Sequence, residues 1–199
     1  MPRGKHRDKL LDQGLRLLSE RGFGATGVAE VTEAGGVPKG SFYNYFPSKE
    51  DFAIEVLSRY QDQACTQMSA VLCNPELAPL ERLRRLFESL IEKLAASGFT
   101  AGCLAGRLAQ EVAGENPTFR KPLEDAFASM RNLVAVCLEQ ARQAGEIPAE
   151  ESPERLAEFL LFSWQGAMLR AKAAGNDGPL QAFLDIAFNR LLKPSQPVI

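Results

Sequence analysis

Apolar residues recur along this chain with the 3.6-residue period of an α-helix almost from end to end, and no stretch alternates with period two. That pattern restricts the fold to the all-α class. About nine helices are expected, over roughly 9–21, 27–34, 38–46, 48–73, 79–96, 101–113, 117–144, 153–175 and 179–192, with no internal repeat. Gly22 and Gly98 stand where the first and fifth should stop, as helix-terminating glycines do. Ser48 and Asp51 have the spacing of a capping box at the start of the fourth, Asn74, Pro75 and Pro79 break the chain after it, and Pro122 is expected to kink the start of the seventh.

The last two helices carry a further constraint. Leu156, Phe159, Leu160, Leu161, Phe162, Trp164, Met168 and Leu169 distribute around the eighth helix, as Leu180, Phe183, Leu184, Ile186, Phe188, Leu191 and Leu192 do around the ninth. A helix that is apolar all round must be covered on both sides. Either these two form the buried centre of one monomer or they pair with a second copy; the apolar surface around Phe159, Leu160, Phe183 and Phe188 points to a homodimer.

With 199 residues and 45% hydrophobic composition the chain can bury a real core. Its formal charge of −2 argues against a general nucleic-acid coat but conceals an asymmetry. Residues 1–49 hold eight Lys/Arg against five Asp/Glu, whereas the remaining 150 hold 15 against 20, so the positive end is the one suited to phosphates. Cys65, Cys73, Cys103 and Cys137 lack CxxC spacing, and the start MPRGKHRDKL has no apolar signal-peptide core, so reduced thiols in the cytoplasm are expected. No apolar run approaches the roughly 20 residues that span a bilayer.

The segment Thr26 to Glu50, TGVAEVTEAGGVPKGSFYNYFPSKE, reads as a Thr-capped short helix, a Gly35-Gly36-Val37 turn, Pro38 opening a second helix, and a third start at Ser48. This is a helix-turn-helix layout, and it divides the chain into a three-helix DNA-binding head, 1–47, and a larger helical body, 48–199. Phe42 and Phe46, at i and i+4, should anchor the second short helix, leaving Gly40, Ser41, Tyr43 and Asn44 outward. Lys39 can reach a base edge or phosphate, Tyr43 and Tyr45 can donate hydroxyls to phosphates, Lys49 adds charge to a helix N-terminus, and Thr26 can contact phosphate at the earlier start. Gly40 inside a helix costs about 1 kcal/mol relative to Ala, so packing or close approach of DNA should offset it.

The run GVPKGSFYNYFPSKEDF resembles the recognition-helix signature of the tetracycline-repressor (TetR) family, and the resemblance extends in helix order over the chain. It departs in having Gly35 where such sequences usually show Ala, and Gly27 where Thr or Ser is common. The resemblance makes the body, 48–199, the ligand-binding and dimerisation domain, and it implies a dimer on palindromic operator DNA, a ligand pocket in the body, and release when that pocket fills. Some relatives with a similar Gly-Cys-Leu segment sense electrophiles or oxidants through the cysteine, which adds to a local reading of TAGCLAGRLAQE. There Cys103 falls in the first turn of a helix that Thr100 could cap, with Arg107 one turn on, and both features favour thiolate. Lys172 is a candidate partner for a modified sulfur. The alternatives are that Cys103 is a small buried hydrophobe, and that a reversible ligand enters a pocket built from Phe87, Phe127, Met130, Trp164 and Met168.

Other classes fit less well. GFGATG, residues 22–27, matches GxGxxG but follows a helix instead of a strand. An enzyme would need a base or metal site, yet His6 is the only histidine, set in a basic tail, and no HExxH, CxxC or GxSxG appears; no cofactor and no metal are expected. A helical small-molecule carrier leaves the KGSFYNY surface unexplained.

Overall fold

In a computed structural model, residues 3–193 are described, with side chains from Lys5 onward. The architecture is all-α among these residues, as the apolar period requires. The helices are α1 (Arg3–Ala25), α2 (Val28–Ala34), a 3-10 recognition segment (Lys39–Asn44), α3 (Lys49–Leu72), α4 (Pro79–Ala96), α5 (Leu104–Val112), α6 (Arg120–Gln143), α7 (Pro153–Ala174) and α8 (Gly178–Ile186). A short 3-10 turn, Pro117–Phe119, precedes α6, and α8 runs into a π-helical turn, Ala187–Leu191. With the recognition segment counted, these are the nine expected helices.

Several boundaries differ for local reasons. The first helix begins before Lys9, because apolar periodicity marks only the buried part of a helix and the Lys/Arg-rich start is itself a good helix former. His6 therefore lies on α1, not in a tail. At Gly22 the backbone takes φ 86° and ψ 179°, so α1 is broken there even though helical turns resume to Ala25. The second helix is not capped by Thr26: its N-cap is Gly27, with no side-chain hydrogen bond. Nor does Thr100 cap α5, whose N-cap is Cys103; the Thr100 hydroxyl donates to the Ser97 carbonyl at 2.7 Å. Of the capping box, the N-cap half forms: Ser48 Oγ accepts from the Asp51 amide at 3.0 Å, while the Asp51 carboxylate accepts the Ser48 hydroxyl at 2.7 Å.

The chain divides into two compact units. The first comprises the described residues up to Gln63 together with Gly102–Phe127. Its centre is an aromatic cluster in which Phe42, Phe46 and Phe52 stack edge-on or tilted at 4.9–5.3 Å, all three at most 2% exposed. Burying each such ring stabilises by about 1.5–3 kcal/mol, which fixes the recognition segment against α3. Arg59 on α3 pairs with Asp8 and Asp12 on α1, and Arg7 pairs with Glu55.

The second unit comprises Ala64–Ala101 and the described residues from Ala128 on. Phe87 on α4, Trp164 on α7 and Phe183 on α8 form a ring triangle of 5.1, 4.9 and 5.4 Å, with Phe188 6.2 Å from Phe87. One side of α7 buries Leu156, Ala157, Leu160, Trp164 and Ala171 in this core. Its other side exposes Phe159, Phe162 and Leu169, and α8 exposes Ile186. Leu160 and Phe188, expected on an uncovered apolar surface, are instead core residues, and Phe183 is half-buried against Phe87 and Trp164. No helix among the described residues is long and apolar enough to cross a membrane.

Candidate functional site

The helix-turn-helix is built from short-range chemistry. α2 ends at Gly35, Gly36 turns the chain with φ 62°, and Val37 returns its amide to the Thr32 carbonyl at 2.9 Å. Pro38, at φ −57° and ψ 134°, then directs the chain into the recognition segment, which winds with three residues per turn. The 3-10 path keeps Phe42 inside, and Phe46, one residue beyond Tyr45, completes the anchor. Lys39, Gly40, Tyr43 and Asn44 are exposed, Tyr43 at 61%, while Ser41 and Tyr45 are half-buried. A charged amine, a bare backbone, a phenol and an amide are thus open to solvent along a segment held by its buried phenylalanines.

The two flanking residues behave differently. Thr26 is 1% exposed and its hydroxyl donates to the Gly22 carbonyl at 2.7 Å, which corrects the expectation that it offers itself to phosphate. The half-buried Lys49 ammonium donates to the Phe23 carbonyl at 2.7 Å and lies 4.3 Å from the centre of the Phe23 ring, so its charge already has an internal acceptor.

At Gly40, an added Cβ would meet nothing within 4 Å. Packing therefore gives no reason for glycine there. At Gly35, a Cβ would come within 3.3 Å of Leu10 and of the Val31 carbonyl, so this departure from the family Ala reflects a tight seat on α1.

The residues expected to sense a ligand separate between the two units. Cys103, Arg107 and Phe127 belong to the first; Phe87, Met130, Trp164, Met168 and Lys172 belong to the second. Cys103 is half-buried at the α5 N-cap, its carbonyl accepting the Arg107 amide at 3.0 Å, and Arg107 Nη1 is buried without a hydrogen-bond partner. Phe87 at 1%, Trp164 at 4% and Met130 at 8% exposure are core residues. Phe127 and Met168 are half-buried, and Lys172 is exposed. Cys137, by contrast, is buried, donates to the Pro79 carbonyl at 3.2 Å, and has its thiol pKa pushed up to about 11 by desolvation. Among the described residues no group of three or more His, Cys, Asp or Glu side chains could hold a metal ion.

Sequence reasoning missed Glu111. Its carboxylate accepts the amides of Phe23 at 2.6 Å and Gly24 at 3.2 Å, a contact across 88 and 87 residues that no local pattern signals.

Comparison with known proteins agrees with the geometry. Residues 10–56 match the model of bacterial regulatory proteins of the tetR family, and residues 79–187 match the tetracyclin repressor-like C-terminal domain. The chain is 36% identical to the transcriptional regulator AcuR of Cereibacter sphaeroides over 87% of its own length and 80% of the relative. It is 34% identical to the HTH-type transcriptional repressor DhaR of a Mycobacterium species, over 100% of its length and 98% of the relative. The crystal structure of reduced Escherichia coli NemR superposes with a TM-score of 0.87 at 28% identity, covering 98% of this chain and 99% of that one.

Proposed function

Because the chain belongs to the TetR family of bacterial regulatory proteins, we propose that it is a cytoplasmic, dimeric repressor that reads a palindromic operator and leaves it when an effector acts on the body. Residues 1–47 carry operator contact and residues 48–199 carry effector response and dimerisation. The observation that carries this reading is the division of labour in KGSFYNYF: Phe42 and Phe46 lock the segment down while Lys39, Gly40, Tyr43 and Asn44 face solvent. Lys39 and the hydroxyls of Tyr43 and Tyr45 then supply phosphate contacts, Ser41 and Asn44 supply base-edge hydrogen bonds, and Gly40 admits the DNA backbone closely. A gel shift on the DNA upstream of the chain's own coding sequence tests it; wild-type protein that retards neither that DNA nor any duplex selected from a randomised pool ends the proposal.

Two effector chemistries remain distinct within this reading. A covalent switch places the reactive thiol at Cys103, one helical turn from Arg107 and in the Gly-Cys-Leu setting. The half-buried N-cap position of Cys103 and a NemR structure recorded in a reduced form support it. A reversible switch uses Phe87, Met130, Trp164 and Met168, all of the second unit, as ligand walls. The tight Phe87–Trp164–Phe183 packing favours the covalent route, since a ligand would have to open that core. Dimerisation through α7 and α8 is supported by the apolar residues they leave exposed.

A further inference from the structure

The corner between α1 and α2 is tied on every side. The break at Gly22 starts a fresh helical turn at Phe23, and the first amides of such a turn have no carbonyl one turn back to receive them. A single oxygen of Glu111, on α5, takes both the Phe23 and Gly24 amides. The Phe23 carbonyl accepts Lys49, the first residue of α3, and the Phe23 ring meets both that ammonium and the ring of Phe119, the latter edge-on at 5.5 Å. Thr26 closes the turn onto Gly22. A Cβ built on Gly22 would meet the Glu111 carboxylate and push it off the two amides, so glycine leaves room for this contact, while the positive φ of 86° is what disfavours any other residue.

We propose that Glu111 is a positioning residue for operator binding: its carboxylate clamps the Phe23–Gly24 corner and sets where α2 and the recognition segment stand relative to α5. This rests on the operator-binding reading above. Glu111 is exposed and lies outside the aromatic cluster, so its removal should leave that core intact and act on geometry. What the corner needs is an acceptor at the right reach. Glutamine keeps an oxygen at that distance without the charge, whereas aspartate keeps the charge but falls one methylene short.

The test measures affinity for a duplex that the wild type selects from a randomised pool, alongside thermal unfolding and amide exchange over residues 23–34. Glu111→Ala and Glu111→Asp should each bind about tenfold more weakly, as expected for lost charge-assisted hydrogen bonds, with faster exchange of the Phe23 and Gly24 amides. Glu111→Gln should recover most of the affinity. Wild-type affinity in the alanine and aspartate variants, while Lys39→Ala loses binding, overturns the clamp and leaves the operator reading standing. Glutamine as weak as alanine at unchanged melting temperature overturns it too. If alanine prevents folding, the aspartate and glutamine pair carries the comparison. If wild type selects no duplex, the operator reading fails and the clamp with it.

Discussion

At Tyr43, removing a side chain that is 61% exposed costs the core almost nothing, so a loss of function there reports on a partner. Tyr43→Ala and Lys39→Ala should weaken operator binding by tenfold or more, about 1–3 kcal/mol, while circular dichroism and melting temperature stay at wild-type values. Lys39→Ala should also flatten the dependence of log affinity on log salt by about one unit if the ammonium meets a phosphate. Gly40→Ala separates the two explanations for the glycine. Open space around it means that alanine should leave stability unchanged or raised by up to about 1 kcal/mol. If DNA approaches the backbone there, the same methyl should abolish retardation in a gel shift; unchanged affinity would leave Gly40 without a role. Thiol chemistry is resolved at the same scale. Desolvation holds Cys137 near pKa 11, so it stays protonated at pH 8 and should resist maleimide until the protein unfolds. The sign for stability follows: the folded state holds this proton more tightly than the unfolded one, so the contribution is intact below pH 9 and is lost as pH climbs from 9 towards 11. Cys103 is expected to label first and, once labelled, to lower operator affinity; mass spectrometry of the adducts and a parallel titration of Cys103→Ser decide it. Exposed Cys73 is the internal competitor, and labelling confined to it would end the covalent route.

The helices differ in how well their ends are secured. α3 is capped by the Ser48 hydroxyl, and Ser48→Ala should cost about 1 kcal/mol in a urea melt. α2, with only seven residues, has no side-chain cap, and space around Gly27 is open. Gly27→Ser should therefore raise stability by a few tenths of a kcal/mol and slow amide exchange in α2; a destabilised variant would mean that the extended Gly27 conformation is needed for itself. Such end chemistry was legible in the sequence because it acts over three or four residues: the Ser48 cap, the stops at Gly22 and Gly98, and the Gly35-Gly36 turn all follow from local geometry. Thr26 was misread because a threonine at a helix start and a threonine closing the preceding turn look alike until its acceptor is known. The recognition segment was placed correctly but taken as α-helical, since over six residues periods of 3.0 and 3.6 bury the same phenylalanine. Glu111 was invisible, because its partners lie in another part of the chain and are backbone amides that carry no residue signature. The Phe87–Trp164–Phe183 cluster was seen as apolar, but composition cannot tell a filled core from a ligand wall.

For the whole molecule, the decisive surface is the one that α7 and α8 leave uncovered. All-round hydrophobicity indicated two covered sides without saying which side faces inward; the structure assigns Leu160, Trp164 and Phe188 to the core and Phe159, Phe162, Leu169 and Ile186 to solvent. Phe159 and Phe162, three residues apart on α7, meet edge-on at 5.3 Å and so present one joined apolar surface. On the proposed pairing, a second copy would cover these four side chains, and a two-fold dimer would offer two recognition segments to two half-sites, one or more turns of about 34 Å apart. Phe162→Glu and Leu169→Glu should then shift the sedimenting species from two chains towards one, because a carboxylate at an apolar interface cannot be desolvated without a partner. Each monomer should remain folded, since neither residue contributes to the buried cluster of Phe87, Trp164 and Phe183. Operator affinity should fall much further than in any single recognition-segment variant, because loss of the dimer removes the second half-site and its phosphate contacts together. The discriminating measurement is sedimentation at micromolar protein with the operator titration repeated across protein concentration. A wild-type chain that sediments as a monomer, or glutamate variants that remain dimeric, would place the interface elsewhere and leave the apolar stripe for another partner.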